Sequence, residues 1–257
     1  MALLFDIEED FANGWPVVVL FDVQSWYDYP ATVAARAAHV LTPEEYAERC
    51  GTSSVQLRTQ RFISRIMLRE SCGQLCGIAP RDVRFAYNEH GKPYLDHPEG
   101  VSPAARGAYH FNLSHTGHLI AFCAAKAGPL GIDIERVSAR RGLAQIARRF
   151  FHPRELAYVT AQDQPVSVER FFEVWTRKEA LLKAKGTGLA TALSEIVVPL
   201  PGEARRYEGV ADTFEVLEVP MAGGFAGAIA FTAPPAYDQG EISLYPQHIT
   251  PILSRGH

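Results

Sequence analysis

Two carboxylates spaced two residues apart, a third set in an apolar helix face and a lysine one turn beyond it carry most of the chemical potential of this sequence. In the run GIDIERV, Ile132 and Ile134 alternate with Asp133 and Glu135. A strand sends alternate side chains to opposite faces and separates same-face neighbours by roughly 6.5–7 Å. Asp133 and Glu135 therefore share a face and repel each other, which calls for open solvent or a cation. An all-oxygen pair suits Mg²⁺ better than Zn²⁺. A half-exposed edge strand gives the same alternation, so the pair needs support from elsewhere in the chain.

Support comes from VERFFEVWTRKEALLKAKGTGL, residues 168–189. At ~100° per residue, Val168, Phe171, Phe172, Trp175 and Leu182 fall on one helix stripe, with Glu179 inside it and Lys183 at its margin. A carboxylate in an apolar face is costly unless it is paired or bound to a metal. Lys183 stands four residues on, within reach of Glu179. An intrahelical Glu–Lys pair at the edge of a core is thus the alternative to a metal site.

A second charged pattern lies on an expected helix at 56–76, where Arg58, Arg61, Arg65 and Arg69 fall within about 80° of the circumference, opposite Ile63 and Met67. Such a stripe suits a phosphate group, or is simply a solvated basic face. NEHGKPYL (88–95) holds Lys92 between Gly91 and Pro93, a rigid turn able to present an ammonium and backbone N–H groups. FNLSHTG (111–117) offers Ser114, His115 and Thr116 ahead of a glycine. No G-x-S-x-G elbow accompanies the Ser–His pair, which argues against a serine hydrolase.

The elements that must position these residues can be read from periodicity and caps. Trp15–Val23 forms a buried strand, and helices follow near 31–39 and 43–50, the second opened by a Thr42/Glu45 capping box. The 56–76 helix stops at Gly77. Strands are expected at 83–87, 92–95 and through 111–115, and LIAFCAA, KAGP and LGIDIERV together read as a β-hairpin. Helices at 142–150, 153–161 and 167–185 come next, the last stopped by Gly186 and Gly188. Strand-like runs near 194–200, 206–219 and 224–232 precede a tail after Pro234. Each half thus carries strands and one long helix ending at glycine. The expectation is an α+β fold of two subdomains, 1–115 and 116–240, with a tail at 241–257.

Composition limits the function classes. A formal charge of −4 over 257 residues speaks against a general nucleic-acid binder. No run approaches a membrane span, and MALLFDIEEDF lacks the basic start of a signal peptide. Cys50, Cys72, Cys76 and Cys123 show neither CxxC pairs nor metal spacing. A reduced, cytoplasmic protein is expected.

The succession HGKPYL, FNLSHTG, GIDIERV and FFEVWTRKEALLKAKGTGL resembles the signature of the Sfp-type 4′-phosphopantetheinyl transferases over about residues 56–189. The resemblance implies a pseudo-twofold arrangement of two similar α/β subdomains, each with a long helix packed on a small antiparallel sheet, and coenzyme A in the cleft between them. It implies transfer of 4′-phosphopantetheine from coenzyme A to a serine of an apo-carrier protein, by a monomer that uses Mg²⁺ and touches neither nucleic acid nor membrane. By the same resemblance Asp133, Glu135 and Glu179 would hold the metal, and Glu179 and Lys183 would act in catalysis. Lys92, Pro93, Ser114, His115, Asp133 and Lys183 would contact coenzyme A, with His115 at its 3′-phosphate, and the arginine stripe adds Arg61 and Arg65 as candidates. One departure stands out: where family members often carry basic residues for that phosphate, LTPEEYAERC has Glu45 and Glu48. Either Arg49, Arg58, Arg61 or Arg65 takes over, or the phosphate is held less tightly. A non-catalytic coenzyme A or carrier binder and a Mg²⁺-dependent phosphohydrolase are the alternatives.

Overall fold

A computed structural model describes residues 16–96, 109–126, 128–139, 141–160, 165–187, 193–209, 212–233 and 243–248. Trp15, Arg140 and Gly188 lie outside the described residues. In the first half, β1 (Val17–Asp22) is followed by helices α1 (Pro30–Val40), α2 (Pro43–Cys50) and α3 (Val55–Cys76), then β2 (Phe85–Tyr87), β3 (Pro93–Leu95), β4 (His110–Thr116) and β5 (Leu119–Ala125). The second half runs β6 (Leu130–Arg136), α4 (Leu143–Phe150), α5 (Pro153–Val159), α6 (Val168–Lys185), β7 (Arg206–Glu208), β8 (Thr213–Glu218) and β9 (Phe225–Phe231), before β10 (Ser243–His248).

The local signals act as expected. Thr42 and Glu45 form the capping box of α2. Both long helices end at a glycine in the left-handed region, Gly77 at φ 66° and Gly186 at φ 69°, where a side chain would be strained. α1 and α3 cover the first core, which contains Phe21, Phe62, Ile66 and Phe122. In the second half Phe171, Phe172 and Leu181 of α6 pack with Phe214 and Val216 of β8. A third cluster, including Val18, Ala121, Cys123, Ile132, Ile134 and Ile229, lies where the halves meet. Strands of both sheets are thus covered on two faces, which is why β1 and β5 read as unbroken apolar runs. The result is the expected pair of α/β halves, each with its long helix on a small sheet. No helix among the described residues is long and apolar enough to cross a membrane. Cys50, Cys72, Cys76 and Cys123 are free thiols.

Four expectations need correction. The run 119–136 is not a hairpin. β5 is flanked on one side by β1 and on the other by β4, in the order β10-β1-β5-β4, so neither of its edges is left for β6. β6 pairs antiparallel with β9 in a second sheet, ordered β6-β9-β8-β7. The expected division after His115 therefore cuts the β4–β5 pairing, and the chain crosses between the sheets only after Ala125. The expected tail supplies a strand: β10 lies parallel to β1, Val17 opposite Ser243 and Asp22 opposite His248. That makes the first sheet mixed rather than wholly antiparallel. Finally, residues 194–200 form no strand, but a short 3₁₀ turn at Leu193–Glu195 and irregular chain.

Candidate active site

β6 and α6 bring the chemistry together. Their close approach depends on Gly131: a methyl there would overlap the Ala180 carbonyl oxygen and the Ala184 amide nitrogen of α6. With that gap closed, Lys183 reaches across to the strand. Its Nζ donates to Asp133 Oδ1 at 2.8 Å, Ile132 O at 3.0 Å and Ser114 Oγ at 3.2 Å. Those three acceptors use the three donors of an ammonium, so Lys183 serves Asp133 rather than forming the intrahelical pair with Glu179. Asp133 is buried, and its Oδ2 has no hydrogen-bond partner.

The charges at this point are unbalanced. Burial raises the Asp133 carboxyl above its ordinary value, against the pull of Lys183. Burial, then the Asp133 charge, also raises Glu179, to which Glu135 adds. Asp133 and Glu135 on β6 thus both act electrostatically on Glu179 of α6. Among the described residues no three ligating side chains close into a metal-binding group. Lys183 supplies the positive charge on one Asp133 oxygen, while the other, buried and unpartnered, is free to ligate. That orphaned carboxylate oxygen is a donor of the kind a hard divalent cation takes.

β4 divides the remaining site residues between two clefts. Asn112 and Ser114 turn towards β6, whereas Leu113 and His115 turn towards α3, as strand alternation requires. On the β6 side, Gly91, Lys92, Pro93, Asn112, Glu179 and Lys183 line a cavity of about 210 Å³. On the α3 side, Arg49, Gln60, Arg61, Ser64, Arg65 and His115 line a wider cleft of about 680 Å³. His115 reaches the cleft surface, yet desolvation and then Lys183 lower its pKa.

Several candidate ligands are otherwise engaged. Lys92 Nζ donates to Leu130 O and Ala184 O, both at 3.1 Å, and burial lowers its pKa to about 8. Asn88 Nδ2 donates to Gly186 O at 2.9 Å. The GKP loop is therefore fastened to the end of α6, and its lysine is a tie between the halves. Ser114 likewise holds Asp133 and accepts from the Ile134 amide. Arg65 and Arg69 are buried rather than solvated. Arg65 Nε donates to Glu45 at 2.8 Å, Arg69 Nε at 2.6 Å, and Arg69 also donates to Pro80 O, Arg81 O and Val83 O. Glu45 thus neutralises two of the four stripe arginines, leaving Arg61 exposed at the cleft. Gly131 and Asn112 were missed as site residues. The signal for Asn112 was present in its i, i+2 spacing from Ser114.

Residues 25–127 match the N-terminal domain of 4′-phosphopantetheinyl transferases, and residues 129–225 match the 4′-phosphopantetheinyl transferase superfamily. The 4′-phosphopantetheinyl transferase HetI of Nostoc sp. is 33% identical over 205 residues, 79% of this chain and 83% of that protein. A 4′-phosphopantetheinyl transferase of Bacillus subtilis is 33% identical over 139 residues, 54% of this chain and 57% of its own length. For a relative from Aneurinibacillus migulanus the identity is 35% over 128 residues, 50% of this chain and 48% of the relative. The chain thus spans about half the length of these last two. With its two halves matched in order and HetI covered over most of its length, the chain belongs to the 4′-phosphopantetheinyl transferase superfamily.

Proposed function

We propose that this chain transfers 4′-phosphopantetheine from coenzyme A to a serine hydroxyl of an apo-carrier protein, acting as a cytoplasmic monomer with site residues from both halves. The observation that carries this reading is Asp133, with one oxygen on Lys183 and the other buried and unpartnered, next to the raised carboxyl of Glu179. Mg²⁺ held by Asp133, Glu135 and Glu179 would neutralise negative charge on the pyrophosphate and in the transition state.

The protein side chains have the following roles. A bond forms between the serine oxygen and the phosphorus bearing pantetheine, and the bond from that phosphorus to adenosine 3′,5′-bisphosphate breaks. Glu179 takes the serine proton, and burial and the Asp133 charge, by raising its carboxyl, make it a stronger base. Lys183 moves its charge towards the leaving pyrophosphate oxygen. Arg61 and His115 hold the 3′-phosphate from the α3 side of β4, with Arg49 beside them. Pro93 and the backbone of the GKP loop, rather than the Lys92 ammonium, face the ligand. Arg141, Arg148 and Arg149 are exposed after β6 and offer an acidic carrier a docking face.

Incubation with coenzyme A and Mg²⁺, with and without apo-carriers, tests the reading by mass spectrometry. The expected result is a carrier heavier by one phosphopantetheine, with adenosine 3′,5′-bisphosphate released only when carrier is present. Release without carrier would mark a phosphohydrolase, and binding without release a non-catalytic protein.

A further inference from the structure

The free edge of β6 is closed by side chains instead of by another strand. β4 and β6 are the abutting edges of the two sheets. The Ile132 amide donates to Asn112 Oδ1 at 3.0 Å, the Ile134 amide to Ser114 Oγ at 3.2 Å and the Arg136 amide to Thr116 Oγ1 at 3.1 Å. Each pair is separated by the same 20 residues, so the two strands run parallel and in constant register. The carbonyls of the same edge take lysines: Leu130 O accepts from Lys92 and Ile132 O from Lys183. Every second residue of β4 thus replaces a rung of the backbone ladder that would otherwise satisfy this edge.

This arrangement has a geometric consequence. Inserting a side-chain oxygen between two backbones holds the strands further apart than a direct ladder does. The widened seam admits the ammonium of Lys183 to the edge of β6, beside Asp133. It also means that Asn112, Ser114 and Thr116 fix the register of β4 against β6, on an edge that Lys92 and Lys183 also bridge. Ser114 touches Asp133 and Lys183 directly. Asn112 is buried and holds the amide next to Asp133.

We propose that Asn112 is a positioning residue for the reaction: its carboxamide oxygen fixes β6 against β4 and thereby sets where Asp133 stands relative to the cleft walls. Its kinetic consequence rests on the transfer reading above; its structural consequence does not.

The test pairs Asn112→Leu, which keeps the volume and removes the acceptor, with Asn112→Asp, which keeps the oxygen in place. In the full-length protein, Asn112→Leu should speed exchange of the Ile132 amide on the order of tenfold or more, with β9 amides unchanged. It should also lower kcat on the order of ten- to a hundredfold with little change in KM for coenzyme A, as expected from misplaced groups rather than lost binding. Asn112→Asp should restore both. If Asn112→Leu fails to fold, Thr116→Val against Thr116→Ser, read at the Arg136 amide, puts the same question at the solvent end of the seam. Unchanged exchange and kcat in the leucine variant would overturn the proposal. So would equal acceleration across β6 and β9, because it would mark a general loss of stability. A wild-type protein with no transfer activity would refute the transfer reading instead, and the exchange measurement would still decide whether these side chains set the register.

Discussion

Lys183 Nζ lies 2.8 Å from Asp133 Oδ1, and the second oxygen of that carboxylate is buried without a partner. The lysine is the counter-charge that opposes the effect of burial on the Asp133 carboxyl. Lys183→Met should therefore destabilise the metal-free protein by roughly 2–3 kcal/mol, below the ~3–5 kcal/mol for breaking a fully buried pair, because Lys183 is partly exposed. A divalent cation should then supply the missing charge. Thermal unfolding with increasing Mg²⁺ checks this: the metal should raise the Tm of Lys183→Met more than that of wild type. Equal shifts would place the metal away from Asp133.

Gly131 is where the approach of α6 to β6 is set. Gly131→Ala would push a methyl into the backbone of α6 at Ala180 and Ala184. The helix must retreat, so overpacking of about 1–3 kcal/mol is expected, together with a drop in kcat as Glu179 and Lys183 withdraw from the strand. Chemical denaturation and steady-state kinetics measure the two effects. A stable Gly131→Ala with wild-type kcat would show that this contact does not position the site.

Glu45 provides a pH signature. Burial raises its carboxyl, but hydrogen bonds from Arg69 and Arg65 and their charges outweigh it and hold the pKa at about 2. Because the folded value is depressed, the stabilisation is complete above the unfolded value and is lost as pH falls from about 4.5 towards 2. The pair is worth on the order of 3 kcal/mol by this linkage. Denaturation of wild type and Glu45→Gln should differ by this much at pH 6 (~3 kcal/mol) and converge on acidification through that window.

The same pair separates the stripe arginines by role. Arg61→Ala should weaken binding of coenzyme A much more than binding of 3′-dephospho-coenzyme A. Arg69→Ala should show no such selectivity, but should lose stability by about 3–5 kcal/mol, since it leaves Glu45 and three carbonyls short of donors. Calorimetric titration with both ligands measures the first and denaturation the second. Equal losses for the two ligands in Arg61→Ala would move the 3′-phosphate elsewhere.

What could be read from the sequence was local. The Thr42/Glu45 box, the glycines ending α3 and α6 and the Asp133/Glu135 alternation depend on neighbours within a few residues, and all are present. The carboxylate in the apolar stripe of α6 was visible because one helix turn decides it. The missed features depend on contacts distant in sequence. KAGP resembles a hairpin turn, and only the pairing of β5 with both β1 and β4 shows that β6 had to go elsewhere. Glu45 read as opposing the arginine stripe because its 20- and 24-residue separations from Arg65 and Arg69 gave no hint that it bonds to both. Lys92 read as a ligand, and its two carbonyl acceptors lie 38 and 92 residues away.

Glu179→Gln tests the central claim most directly. The Glu179 carboxyl is raised by burial and by Asp133, so its folded pKa lies above the unfolded one, and stability is lost as pH rises through it. The ionised form of the side chain therefore works against the fold, and a neutral isostere relieves that cost. Glu179→Gln should be at least as stable as wild type, yet with coenzyme A, Mg²⁺ and apo-carrier it should transfer phosphopantetheine at least about 100-fold more slowly. A variant that is equally stable and transfers at the wild-type rate would contradict the assignment of this site.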